Sequence, residues 1–356
     1  MGSIGRRRDL SAVNTTSAPP RPDTTGSDYA RLSRRVAAAG LLDRRPGYYA
    51  ARIGVLLAVA IAAGVAFWSL GDSWAQLWVA ALLAVVWAQM GLVAHDIAHR
   101  QVFRSARTSA IAGMLAGNLG IGMSYGWWSD KHTRHHTNPN HSELDPDVAP
   151  DLLVWSTDQA RSARGPARLV GRWQAFLFFP LLTLEGMNLH VASVRALFRP
   201  NLRHRWVEAA LLLVNFAAYV TALLIVLSPV RALVFAAVHQ GLLGLYLGCT
   251  FAPNHKGMPE PTEEHRRDFL RRQVLTSRNV RGGRVLDAAL GGLNHQIEHH
   301  LFPNMPAPNL RRARPIVRAY CAEAGVAYYE TGLIRSYAQA LRHLHEAGAP
   351  LRRGSK

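Results

Sequence analysis

Cysteine is nearly absent from this chain: its 356 residues hold two, Cys249 and Cys321. Two such isolated residues exclude a disulfide framework and a thiolate metal knuckle. Aromatic residues are few (8%) and are not interleaved with the arginines. That removes the stacking platform a nucleic-acid-binding protein needs, even though the formal net charge is +18. The sequence shows no internal repeat and no coiled-coil heptad. No apolar run follows the basic start, so no signal peptide is expected. Met1, Gly2 and Ser3 suggest myristoylation, but Arg6 stands where that signal needs Ser or Thr. Residues 1–28, rich in Ser, Thr, Pro and Arg, are expected to be disordered.

Hydrophobic residues make up 49% of the chain and are bunched rather than periodic. Four stretches, 53–70, 75–95, 206–228 and 230–252, are long and apolar enough to cross about 30 Å of hydrocarbon. They read as two helical hairpins. Arg31, Arg34, Arg35, Arg44, Arg45 and Arg52 precede the first span, whereas Gly71, Asp72, Ser73 and Trp74 in its turn carry no positive charge. The second turn has only Arg231. The positive-inside rule therefore places both termini in the cytoplasm, in the plasma (inner) membrane if the source is bacterial. The bilayer, with its anionic lipids, is the expected partner of the positive charge, and nucleic acid is not.

Seven histidines fall into three clusters: His95 and His99; His132, His135 and His136; His299 and His300. At 100° per residue, helical positions i, i+3 and i+4 lie on one edge, so each cluster offers converging imidazoles. They can share one site only if they lie on one membrane face. Residues 109–127 must then fail to cross, as Gly113, Gly117, Gly120, Gly122 and Asn118 suggest. Residues 176–190 hold Pro180 and Glu185 and are also read as interfacial. Imidazole suits Zn, Cu, Fe and Ni alike. A structural zinc takes four ligands and a catalytic zinc three, so seven histidines indicate two metals. Ligating imidazoles need acceptors for their second nitrogen, and Asp96, Glu298, Asp145 and Asp147 are the candidates. His239 reads as a buried, hydrogen-bonded residue and His190 as one near an interfacial segment. His141, His204, His265, His343 and His345 read as solvated or interfacial.

Four motifs carry a resemblance: H-D-I-A-H-R-Q-V-F at 95–103, W-S-D-K-H-T-R-H-H-T-N-P-N at 128–140, D-P-D at 145–147, and G-G-L-N-H-Q-I-E-H-H-L-F-P at 291–303. Over residues 48–306 the chain resembles a membrane fatty acid desaturase. The resemblance implies an all-α integral membrane protein in which four transmembrane helices in two hairpins, interfacial helices and a cytoplasmic helical cap hold a di-iron site. It also implies an oxygen-dependent reaction that places a cis double bond in an acyl-CoA or acyl-lipid, with two non-haem irons and O2. The ligands carried over are His95, His99, His132, His135, His136, His299 and His300. His255 joins them, standing where related enzymes place an additional histidine and at the same expected membrane face. Gln296 opens the third motif as in the front-end branch, and either binds iron or hydrogen-bonds beside it. His295 is left out of the ligand set.

No H-P-G-G of a fused cytochrome b5 occurs, so a separate electron donor of the ferredoxin or cytochrome b5 type, with its reductase, is expected. Gly241, Gly244 and Gly248 would permit close approach along an apolar tunnel. Arg266, Arg267, Arg271, Arg272 and Arg278 would form a basic surface for a headgroup, a coenzyme A phosphate or an acidic donor. Residues 29–52 read as a cytoplasmic or interfacial helix, 53–306 as the catalytic domain and 307–356 as a cytoplasmic helical segment. A di-iron hydroxylase or ketolase of lipids or carotenoids is the alternative.

Overall fold

The computed structural model describes residues 27–352, so the disorder expected of residues 1–28 lies, up to residue 26, outside the described residues. Helix α1 (Asp28–Ala38) starts where the Ser27 hydroxyl accepts the Ala30 N–H, and the chain turns away at Gly40, whose φ of +66° suits a residue without a side chain. Helix α2 (Pro46–Leu70) opens on a proline, which loses nothing in a first turn. The single helix expected over 29–52 is therefore corrected to two, broken at 39–45, with Arg52 inside the first long apolar helix.

Helix α3 (Gln76–Ala98) follows, then α4 (Ala106–Met114), which runs into a π-helical turn at Leu115–Gly120. The chain leaves the helix at Gly122 and re-enters one at α5 (Tyr125–Thr137). Residues 109–127 are thus not one continuous helix. Short α6 (Thr157–Ser162) precedes α7 (Gly165–Leu182) and α8 (Glu185–Ala196), which are bent by 85° at the break beyond Pro180. Helices α9 (Arg205–Val226) and α10 (Pro229–His255) come next, and α10 continues through Pro253 to its last histidine. Helices α2, α3, α9 and α10 are long and apolar enough to cross a membrane, each extending a few residues beyond or short of the stretch read from hydropathy.

Packing centres on α3 and α10. Ala84, Ala88, Leu243 and Leu247 form their shared face, and Gly91 brings α3 within contact of Ile121 and Leu247. Small residues are what allow apolar helices to approach closely in lipid. Val55, Ile61, Val65, Leu213, Leu224 and Leu233 point outward and are exposed, an apolar surface that fits hydrocarbon. At one end Asp72 accepts from the Ser228 N–H (2.9 Å) and pairs with Arg231 (2.6 Å), so the two short connections lie together. Gly244 and Gly248 do not line a channel. A Cβ on Gly244 would meet Leu182 O at 2.4 Å, and one on Gly248 would meet the Leu182 side chain. Both accommodate the α7–α8 bend instead.

Two buried histidines inside this bundle have hydrogen-bond partners. Tyr219 bonds His239 Nδ1 (2.9 Å), with Trp87 against the imidazole at 4.5 Å. His190 spans Gly122 O (2.9 Å) and Gln240 Oε1 (3.0 Å).

Beyond α10 lie α11 (Glu263–Arg267), α12 (Phe269–Leu275), β1 (Asn279–Arg281), α13 (Arg284–Ala289), α14 (Gln296–Leu301), α15 (Ala307–Glu323), β2 (Glu330–Gly332), α16 (Leu333–Ala347) and α17 (Ala349–Arg352). Leu32 and Val36 of α1 join Leu270, Val274, Ile297, Leu301, Leu310 and Val317 in a second core. Strands β1 and β2 pair in parallel with Val280 opposite Thr331, which corrects the all-α expectation by one short ladder. Helix α16 returns to α7 and α10: Tyr337 donates to Cys249 O (2.5 Å), and Leu344 packs with Phe178 and Ala252.

Candidate metal centre

Four helices deliver the histidines. The end of α3 carries His95 and His99, α5 carries His132, His135 and His136, α10 ends at His255, and α14 carries His299 and His300. The structure brings all eight together in two groups. Ring nitrogens of His95, His99, His132, His136 and His299 lie within 4.8 Å of one another, as do those of His135, His255 and His300. The i, i+4 pairs stay together, but His132 and His135, expected on one edge, separate. His299 and His300 separate as well, because consecutive helical residues point about 100° apart. Helices α5 and α14 therefore each serve both groups.

Both groups fit a cation. His95 Nε2 lies 3.2 Å from His299 Nε2, and His136 Nε2 lies 3.1 Å from both His132 Nε2 and His299 Nε2. His135 Nε2 is 3.4 Å from His255 Nε2. Nitrogens about 2.0–2.1 Å from a shared ion stand roughly this far apart. Five ring nitrogens facing one point cannot all satisfy one another as donor and acceptor, whereas a cation takes every lone pair. Nε2 of His99 and of His300 is buried without a partner, as is Oε1 of Gln296. Burial first, and neighbouring imidazoles second, push His132, His136, His299 and His300 well below the ordinary histidine range, which keeps them in the neutral form that binds metal.

The far sides of four rings show what orients them, whereas Nδ1 of His136 and of His299 is buried without a partner. Asp96 Oδ1 takes His95 Nδ1 (3.0 Å), and its other oxygen meets Arg52 (3.2 Å), which also holds Gln89. Asp145 holds His135 Nδ1 at 3.0 Å and accepts the backbone N–H groups of Asn140 and Asp147. Asp147 is farther, 3.5 Å from His135, and is engaged by Lys131 at 2.7 Å. Glu298 touches no histidine. Its carboxylate accepts from Asn279 (2.7 Å) and Tyr328 (2.8 Å), and burial pushes its pKa up to about 7 against those bonds. It ties α14 to β1 instead of fixing an imidazole.

Two orienting groups have no sequence signature: Thr276 O meets His255 Nδ1 (3.1 Å), and Gln273 Oε1 meets His300 Nδ1 (2.9 Å) while its amide donates to His136 O (2.9 Å). Trp128 stacks on His132 at 4.6 Å. The Asn140 side chain, on a residue at φ +58°, donates to His255 O (3.2 Å) and Thr276 O (3.1 Å).

A family model described as fatty acid desaturase matches residues 72–332, a span that contains all eight of these histidines. The chain belongs to the fatty acid desaturase family. It is 30% identical over 278 residues to an acyl-lipid (9-3)-desaturase of Physcomitrium patens, covering 75% of this chain and 52% of that protein. It is 29% identical to fatty acid desaturase 3 of Bos taurus over 346 residues (93% of this chain, 76% of the relative). It is 28% identical to an acyl-lipid 8-desaturase of Rebecca salina over 335 residues (91% and 75%). The chain spans about half the length of the first of these relatives.

Gln296 faces the three-histidine group. Its amide nitrogen is placed 2.9 Å from His255 Nε2, and turning the amide over would present the oxygen there. His295 points elsewhere and pairs with Asp287 (3.2 Å). His141, expected to be solvated, is buried beside Glu260.

The expected basic surface is largely spent on internal contacts. Arg271 pairs with Asp28 (3.1 Å) and Asp268 (2.5 Å), Arg266 with Glu263 (2.8 Å), and Arg272 with the Arg266 carbonyl. Arg278 is 1% exposed and caps the end of α10, donating to Pro253 O (2.5 Å), Lys256 O, Ser336 O (3.3 Å) and Gln339 (3.0 Å). A cation is favourable at a helix C-terminus, and here it fixes the turn that carries His255. Arg278→Met strips donors from several buried carbonyls and is expected to destabilise the protein by roughly 3 kcal/mol. Denaturant unfolding in detergent measures it, and a change below about 1 kcal/mol would mean that water replaces the guanidinium.

Proposed function

We propose that this desaturase introduces a cis double bond into an acyl chain carried as acyl-CoA or acyl-lipid, at two irons. His95, His99, His132, His136 and His299 would hold one iron; His135, His255 and His300, with Gln296 beside them, would hold the other. The observation that carries this reading is the division of eight histidines, each buried or half-buried, into two adjacent groups that share α5 and α14. When bound, such a pair supplies activation of dioxygen and removal of hydrogen from two adjacent methylenes, leaving an alkene and water.

The protein's part is positional. Asp96 and Asp145 keep the proton of His95 and His135 on Nδ1 and turn Nε2 inward. Trp128 and Phe251, within 5.7 and 6.4 Å of the His95 ring, present an apolar wall to the five-histidine group. Gln296 and the names of the acyl-lipid 8- and (9-3)-desaturases support front-end regiochemistry.

Electrons would come from a ferredoxin or cytochrome b5 type donor. The four apolar helices would form two hairpins, with both termini and the histidines on the cytoplasmic face. The opposite pair of turns supports this orientation, because Arg231 is the one positively charged residue there. Expression in a host without such activity, followed by mass-spectrometric location of new double bonds, tests the reading. New alkenes are expected with the wild type and none with His299→Ala. A wild type that binds iron yet yields neither alkene nor hydroxyl from any fed acyl chain sinks it.

A further inference from the structure

The first turns of two helices converge on one buried carboxylate. Glu208 lies in the first turn of α9, is 2% exposed, and faces the start of α5. Its Oε2 accepts from the Ser124 hydroxyl (2.5 Å) and Asn118 Nδ2 (3.0 Å), and its Oε1 accepts from the Gly126 backbone N–H (3.2 Å).

Each side-chain donor is held in that sense by a second bond. Asn118 Oδ1 accepts the Tyr125 N–H (3.1 Å), which leaves the NH2 end toward Glu208. Ser124 Oγ accepts the Trp127 N–H as the N-cap of α5 (3.3 Å), which leaves its proton for Glu208. Three donors and no acceptor surround the group, the environment of a carboxylate. Among the described residues no Lys, Arg or His nitrogen lies within 4.0 Å of it. Its charge is met by the positive ends of α5 and α9 and by the π-helical turn that carries Asn118. The fit is close: a Cβ on Gly126 would stand 2.4 Å from Glu208 Oε1.

A charge in a membrane helix is expensive, and simple anchoring needs none. We propose that Glu208 is a positioning residue for the metal centre. Its carboxylate locks the rotation of α5 against α9, and that rotation decides whether His132 and His136 reach one group while His135 reaches the other. A turn of α5 that improves one group withdraws a ligand from its neighbour, so the helix needs a fixed rotation and not merely a fixed place. This inference rests on the two-metal reading above.

The test uses the full chain in detergent, with cobalt(II) as the probe. Glu208→Gln keeps the size but puts an NH2 group among donors. It is expected to weaken cobalt binding by about tenfold, the low end for groups that orient ligands, to alter the ligand-field spectrum, and to speed amide exchange over residues 126–137 in the metal-free protein. Adding Asn118→Asp returns a carboxylate to the same helix N-terminus, and Glu208→Gln/Asn118→Asp is expected to recover most of the lost affinity and protection.

Wild-type binding, spectrum and exchange in Glu208→Gln would overturn the proposal, and so would a folded double variant no better than the single one. If Glu208→Gln does not accumulate, Ser124→Ala removes one donor and keeps the charge; unchanged exchange and binding there would overturn the proposal equally. A wild type that fails to bind two cobalt ions counts against the metal reading itself, a separate result.

Discussion

His135→Ala is expected to empty the three-histidine group and spare the other, whereas His136→Ala does the reverse. These neighbours on α5 reach different groups: His135 lies 3.4 Å from His255, and His136 lies 3.1 Å from His132 and His299. Each variant should therefore retain about one iron per chain where the wild type is proposed to hold two, since the untouched group keeps its full set of histidines. Double-bond formation should fall to background in both, because the proposed chemistry uses the pair. Metal analysis of purified protein, with iron spectroscopy to tell the remaining ions apart, is the check. Equal and complete loss of metal in both variants would mean one cooperative site and would remove the division into two.

Asp145→Asn should have the largest effect of any residue that is not itself a ligand. Asp145 is 1% exposed, holds the His135 ring and gathers two backbone N–H groups from its own loop. An amide keeps the shape but brings a donor to a place where three donors already point. Loss of such an orienting group weakens metal binding about 10- to 100-fold. A titration with iron(II) or cobalt(II) should show that loss on the three-histidine side and little change on the other. Asp147→Asn should do less, since Asp147 is farther from His135 and already committed to Lys131. Equal losses in the two variants would show that the loop as a whole matters rather than the bond to His135.

What the sequence made legible was local. Runs of apolar residues marked the four long helices, and histidine spacing marked three places where imidazoles share a helix edge. The assignment of each imidazole to a group was not local. His135 leaves His132 because α10 presents His255 and α14 presents His300 on that side of α5, and no spacing within 128–140 encodes this.

The orienting groups divide in the same way. Asp96 and Asp145 sit in the motifs and were visible, whereas Thr276 O, Gln273 and Arg278 come from a stretch whose arginines read as a basic surface. Glu298 misleads by adjacency. Its place beside two histidines suggested a partner for their rings, but the same 100° step that separates His299 from His300 turns it toward Asn279 and Tyr328. The π-helical turn at Leu115–Gly120 and the ladder between β1 and β2 depend on neighbours far along the chain, which no local pattern reports.

His95 and His299 meet at 3.2 Å although 204 residues separate them, and this has a consequence for biogenesis. A ribosome adding 5–20 residues each second needs roughly 10 to 40 s to travel from one to the other. Throughout that interval the end of α3 is already made while α14, which completes both groups, does not yet exist. Neither histidine group is complete until His299 and His300 have been synthesised. If the two groups hold iron as proposed, loading would be a late event, and a cell short of iron would accumulate protein whose last step of maturation is still pending.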